Sequence, residues 1–206
     1  MKSLFQPNWL IRTLIPGTYR LKVSDKPIIY LTFDDGPTTE CTLKILDILK
    51  KHEVKASFFC VGDNANRHPE LIDTIIAQGH ALGNHTMNHK NGFKTSTKDY
   101  VNNVTEASKY IPSKLFRPPY GRCTIFQNYT LRKAGYKIIQ WDVIAYDWDK
   151  NRTPQQIMDT VDRYVREGSI IVLHDSIKAA PRTLPILSQL ITLLKNRGFS
   201  FCTLAE

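Results

Sequence analysis

From residue 28 onwards, short apolar runs alternate with stretches whose apolar residues recur every three or four positions. The runs are IIYLTF (28–33), ASFFC (56–60), HALGN (80–84), LFR (115–117), YKIIQW (136–141), SIIVL (169–173) and FSFCT (199–203). Their length and richness in Ile, Val, Phe and Tyr predict strands. Between them lie amphipathic segments with marked ends. Pro69 opens one and Gly79 closes it. Thr153, Pro154 and Gln156 form a capping-box start to another, with Ile157, Val161 and Val165 on one face and Gly168 beyond its end. Leu187, Leu190, Ile191 and Leu194 give the i, i+3, i+4, i+7 stripe of a last helix before Gly198. Strand and helix alternating in this way predict an α/β fold, a parallel sheet with crossover helices.

Parallel-sheet enzymes place their chemistry beyond the carboxyl ends of the strands. Asp34 and Asp35 follow the first run, His85 the third, Asp147 the fifth and His174 the sixth, while Arg117 closes the fourth. An open sheet would scatter these ends along a row, whereas a closed barrel turns them towards one axis. A seven-stranded parallel barrel is therefore the expected architecture. No repeat, low-complexity tract or linker interrupts it, so residues 28–206 are read as one catalytic domain and residues 1–27 as a leader packed on or flanking the barrel.

The chain has 206 residues, 42% of them hydrophobic, enough for one well-buried core. Its four cysteines are widely spaced, without a CxxC pair, and read as buried free thiols. The net charge is +9, and residues 1–30 hold five Lys or Arg against Asp25 alone. That bias suits a solvated basic surface, or attraction to anionic glycans, phosphate-bearing lipids or nucleic acid, although no nucleic-acid reading motif is present. The opening MKSLFQPNWLIRTLIPG suggests a signal peptide, but Pro7, Asn8 and Arg12 leave Trp9–Ile11 as its longest uninterrupted apolar stretch. That is short of the roughly seven residues a signal needs and the roughly eighteen of a membrane span. The expectation is a cytoplasmic protein without a transmembrane segment, unless residues 3–15 form an interfacial helix.

Four motifs carry the chemistry. TFDDGP (32–37) sets two adjacent carboxylates at a strand end, and two acids side by side call for a cation or a shared proton. HTMNH (85–89) places two imidazoles at i and i+4, the spacing at which one helical turn presents both to a single ion. Joined to a carboxylate, they make a three-ligand set that leaves positions open for water and substrate. RPPYG (117–121) pairs a cation with a stiff loop able to present backbone N–H groups. LHD (173–175) puts a histidine directly after a buried strand. His52, His68 and His80 fall at helix ends or strand starts and are expected to lie outside the site.

Taken in order, these motifs resemble the polysaccharide deacetylase family, carbohydrate esterase family 4, over residues 28–204. The family includes chitin, chitooligosaccharide and peptidoglycan deacetylases. The resemblance implies a distorted seven-stranded β/α barrel and hydrolysis of N-acetyl groups from an amino-sugar-containing saccharide. It implies one divalent metal ion, Zn²⁺ before Co²⁺ or another, held by Asp35, His85 and His89. It makes Asp34 the general base, Arg117 the residue that positions it, the Tyr120 backbone N–H an oxyanion donor and His174 the general acid. It also implies that Asp147 tunes His174, and that Trp148 and Leu173, with Tyr120, line the acetyl pocket. In WDVIAYDW (141–148), Ile144 and Ala145 stand where many relatives carry an acid and a hydroxyl residue. Two other readings remain: an O-acetyl esterase or other amide hydrolase on the same metal site, or a silent glycan- or nucleic-acid-binding protein.

Overall fold

The computed structural model describes residues 5–8, 12, 13, 15–21 and 26–204. Trp9–Ile11, and with them nearly half of the stretch weighed as an interfacial helix, lie outside the described residues. The described residues form eight strands: β1 Ile28–Asp34, β2 Ser57–Cys60, β3 Ala81–Asn84, β4 Leu115–Phe116, β5 Lys137–Ile138, β6 Val143–Ile144, β7 Ile170–His174 and β8 Ser200–Phe201. The helices are α1 Thr42–Lys51, α2 Gly62–Arg67, α3 Pro69–Ala77, α4 Thr97–Ala107, α5 Ile125–Lys133, α6 Pro154–Tyr164 and α7 Ala180–Asn196. Both capping-box bonds form at Thr153 and Gln156, and Pro69 occupies the first turn of α3. The fifth run differs from expectation: β5 is short, and the chain forms a further strand, β6, three residues beyond the point where Gln140 leaves the ladder.

All strand pairs are parallel, in the order β5-β4-β3-β2-β1-β7-β6, with β8 beside the start of β1. A flat sheet of that order would hold its outer strands about 29 Å apart, six spacings of about 4.8 Å. Yet Ile138 ends β5 and Val143 begins β6, and five residue steps span at most about 18 Å. The sheet must therefore curl into a distorted barrel. One continuous run, residues 137–144, pairs with β4 at its start and with β7 at its end. The leader contributes at this seam: the Thr18 N–H donates to the Ile138 carbonyl (2.8 Å), the Gln140 N–H to the Thr18 carbonyl (2.8 Å) and the Ile144 N–H to the Phe5 carbonyl (2.9 Å).

Both faces of the central strands are buried, as helices outside a parallel barrel require. Ile29, Leu31, Phe33, Phe58, Ile171 and Leu173 pack outwards against Ile45, Leu49, Val161, Leu187, Leu190 and Leu194 of the helices. Tyr30, Phe59, Leu115, Ile139, Ile170 and Leu204 fill the interior. Each such aliphatic or aromatic side chain contributes about 1.5–3 kcal/mol on burial. Cys41, Cys60 and Cys123 are buried free thiols, and Cys202 is partly buried. No described helix is long and apolar enough to cross a membrane.

Candidate active site

Asp34 is the last residue of β1, and its strand neighbours are Phe59 and His174. This register brings the ends of β1 and β7 side by side, so Asp34, Asp35 and His174 share one opening. The Arg117 N–H donates to the Asn84 carbonyl at 3.0 Å, which draws the end of β4 to the end of β3 and hence to His85. The result is a cavity of about 390 Å³ at the carboxyl end of the barrel, whose wall includes Asp34, Asp35, His85, His89, Arg117 and His174. Two roomier hollows, about 940 and 790 Å³, open at the other end around Gly79, Lys137 and Leu115. Neither gathers the described cluster of potential metal ligands, so size does not decide which hollow is functional.

One ligand atom from each of Asp35, His85 and His89 lies within 4.8 Å of the others. The two imidazoles are not on a helical turn, as their spacing suggested. Residues 85–89 form a loop in which Thr86 (φ 67°) and His89 (φ 52°) adopt the left-handed region, and this folds both rings to one side with centroids 5.0 Å apart. Asp35 (φ 78°), Tyr120 (φ 59°) and Tyr146 (φ 57°) are left-handed too. Such residues cost of order 1–3 kcal/mol each and persist only where surrounding structure imposes them.

The donor set fits a divalent cation. His85 donates its Nδ1 hydrogen to the Arg117 carbonyl at 2.7 Å, so its Nε2 presents a lone pair. Burial, outweighing the nearby carboxylates, pulls the His85 pKa down to about 4 and keeps the ring neutral. Asp35 Oδ1 approaches His89 Nε2 at 3.1 Å and His85 Nε2 at 3.6 Å, yet it is buried without an accepted hydrogen bond. Burial raises the Asp35 pKa, but the surrounding imidazoles prevail and hold the carboxyl well below the usual carboxylate range. A divalent cation held among Asp35 Oδ1 and the two Nε2 atoms would give each of these polar atoms a partner.

Arg117 is fully buried, with Nη1 donating to Asp34 Oδ1 (2.6 Å) and Thr32 Oγ1 (2.7 Å) and Nη2 to the Gln140 carbonyl (3.2 Å), and its guanidinium lies 4.0 Å from the Phe59 ring centroid. Opposite, Asp147 Oδ1 receives His174 Nδ1 at 2.8 Å, while Oδ2 accepts from the His174 backbone N–H (2.7 Å) and Thr183 Oγ1 (2.6 Å). Burial opposes a charge on His174, but the Asp147 carboxylate outweighs it and raises the pKa to about 9. Trp148 packs edge-on against His174 with centroids 4.6 Å apart, and Tyr120 packs against His89 with its hydroxyl 3.1 Å from Nδ1.

Leu173, expected to line the acetyl pocket, is not part of this cavity's wall, and Asp147 reaches it only through His174. Strand alternation turns Leu173 to the helix-facing side, opposite His174, where it is fully buried. His52, His68 and His80 also lie elsewhere. The pocket wall includes Trp141, Tyr146 and Lys178, which sequence reasoning left without roles. Asp175 was likewise overlooked although it follows His174. It is buried, and it accepts from the Gly36 N–H (2.9 Å) and Thr42 Oγ1 (2.7 Å), which clamps the turn bearing Asp35. The signal available was a second carboxylate at a strand end.

Comparison with known proteins agrees with this geometry. The chain is 32% identical over 190 residues to a peptidoglycan-N-acetylglucosamine deacetylase of Bacillus cereus, covering 89% of each chain. It is 36% identical over 197 residues to a chitooligosaccharide deacetylase of Sinorhizobium fredii, covering 87% of this chain and 91% of that one. The crystal structure of the Bc1960 peptidoglycan N-acetylglucosamine deacetylase superposes with a TM-score of 0.84 at 34% identity, over 91% of this chain and 88% of the other. The profile of polysaccharide deacetylases matches residues 22–139, and with these relatives it establishes that the chain belongs to the polysaccharide deacetylase family.

Proposed function

We propose that this protein is a divalent-metal-dependent hydrolase that removes N-acetyl groups from a saccharide of the N-acetylglucosamine type. The observation that carries the reading is the convergence of three elements on one cavity: the Asp35–His85–His89 ligand set, the Arg117-held carboxylate of Asp34 and the Asp147-held imidazole of His174. The relatives' substrates support the sugar class.

Asp35, His85 and His89 would hold the ion, with Zn²⁺ or Co²⁺ suited to their mixed nitrogen and oxygen donors. Such an ion, when bound, supplies Lewis-acid polarisation of the acetyl carbonyl and acidifies water. Arg117 fixes one oxygen of Asp34 and leaves that carboxylate facing the cavity as the base that takes a proton from the attacking water. The Tyr120 backbone N–H is assigned to the developing oxyanion, where one such donor contributes about 2.7–4 kcal/mol. His174 then gives its proton to the departing amine nitrogen.

An amide nitrogen needs that proton, whereas an activated ester oxygen does not. A histidine held cationic by Asp147 supplies the proton that the amine requires, and the preference for N-acetyl over O-acetyl substrates rests on the relatives' substrates. The cavity sits at the small end of the range for small-molecule sites, so a longer saccharide would extend along its rim. The test pairs metal content with acetate release from acetylated chitooligosaccharides, peptidoglycan fragments and acetylated xylan. Asp34→Asn is expected to retain the metal and lose about 10²–10⁴-fold in turnover, and His85→Ala to lose both. Equal metal loss in the two variants, or acetate release from xylan alone, would overturn the reading.

A further inference from the structure

α5 is built inside out. At about 100° per residue, Ile125, Tyr129 and Phe126 fall within an arc of about 100°. They are exposed by 69%, 58% and 76% of their surface. The buried side instead carries Gln127, Asn128 and Leu131. The two amides are committed there: Gln127 Nε2 donates to the Gly92 (2.9 Å) and Thr95 (3.0 Å) carbonyls, and Asn128 Nδ2 to the Pro16 carbonyl (2.7 Å). With its polar residues used to tie the 92–95 loop and the leader, the helix turns its large apolar side chains to solvent. Phe93, on the tied loop, is also exposed, as is Tyr120 at the cavity mouth five residues before the helix.

The charge of the segment that carries this face is one-sided. Residues 74–141 hold ten Lys or Arg against Asp99 and Glu106 alone, which accounts for +8 of the net +9. All of these cations except Lys90 and Arg117 are exposed, and of the ten only Arg117 enters an ion pair among the described residues. Arg132 and Lys133 close α5 itself, on the same side as its apolar residues. We infer that the exposed face of α5, with its basic surroundings, docks the protein on an anionic lipid surface, Ile125 and Phe126 entering the acyl boundary and Arg132, Lys133 and Arg122 facing the headgroups.

Charge alone would serve any polyanion, but the outermost residues of the face are apolar, as in interfacial helices and not in phosphate-reading surfaces. A sugar platform fits less well. Ile125 offers no flat ring, and the Lys133 ammonium already lies 4.8 Å from the Tyr129 ring centroid. Docking by this face would set the cavity mouth beside the lipid surface.

The experiment is co-sedimentation of the full chain with vesicles of phosphatidylcholine alone and of phosphatidylcholine with phosphatidylglycerol, at low and high salt. Binding is expected only with the anionic lipid, weakening as salt rises. Arg132→Gln/Lys133→Gln should weaken it about 25-fold, at about fivefold per basic residue near an anionic surface. Ile125→Ser/Phe126→Ser should weaken it at least tenfold while leaving hydrolysis of a short soluble chitooligosaccharide unchanged, which reports an intact fold. Three results would overturn the inference. One is no binding to the anionic vesicles. Another is binding untouched by Ile125→Ser/Phe126→Ser, which would leave charge alone, as for a nucleic acid. The last is an effect of that variant on long soluble glycans or on self-association instead of on vesicles, which would make the face a glycan platform or a contact between copies.

Discussion

Asp147→Asn isolates the electrostatic role of the residue from its structural one. An asparagine oxygen at the Oδ2 position keeps the bonds to the His174 backbone N–H and to Thr183 Oγ1, while an NH₂ replaces Oδ1 opposite His174 Nδ1. Two donors then face each other whenever the ring is charged, so the neutral ring is favoured and the pKa falls from about 9 to 6.5 or lower. The acid works only when protonated. At pH 8 about nine-tenths of His174 is protonated with the higher value and about one-thirtieth with the lower, so the variant should be about 30-fold slower. At pH 6 the two should agree within about twofold. A divalent cation bound at Asp35 would lower the wild-type limb below pH 9 and reduce the ratio without changing its direction. The same sign governs stability: with its folded pKa above the unfolded one, His174 contributes stabilisation that is fully present below about pH 6.5 and lost as pH rises through about 9. The assay is kcat/KM against pH with metal content measured in parallel. A loss equal at every pH, or an alkaline limb that does not move, would refute the reasoning.

Three further expectations follow from the same geometry. His174→Ala should spare an activated ester far more than an N-acetyl sugar, and equal losses on both would remove the acid assignment. Gly36→Ala should weaken metal binding and cost about 1–3 kcal/mol of stability, read by metal titration and thermal melting, because the new Cβ would lie 1.9 Å from Asp175 Oδ2 and push the Asp35 turn aside. Arg117→Met should cost about 3–5 kcal/mol in urea unfolding, because it strands the buried Asp34 carboxylate. A change below about 1 kcal/mol would mean that the pair is not the anchor of the base.

The strand–helix alternation, the ends of α3 and α6 and the placing of reactive residues at strand ends were legible in the chain, because periodicity and capping are local and one face of each element had to be buried. The candidate metal ligands and the candidate base and acid were named from short motifs, TFDDGP, HTMNH and LHD, that stand tens of residues apart in the chain. Tertiary structure decided the rest. The 137–144 run closes the barrel by changing partners from β4 to β7, which no local pattern encodes. His85 and His89 meet through left-handed backbone at Thr86 and His89 and not through helical spacing, a conformation that the residue spacing alone does not encode. Leu173 is turned outwards by strand alternation, and Asp175 gains its role only when β7 lies beside β1. The inside-out face of α5 was equally hidden. Its amides look solvent-facing in sequence, and only the loop and the leader they bind, 32 to 112 residues away along the chain, make them the buried side.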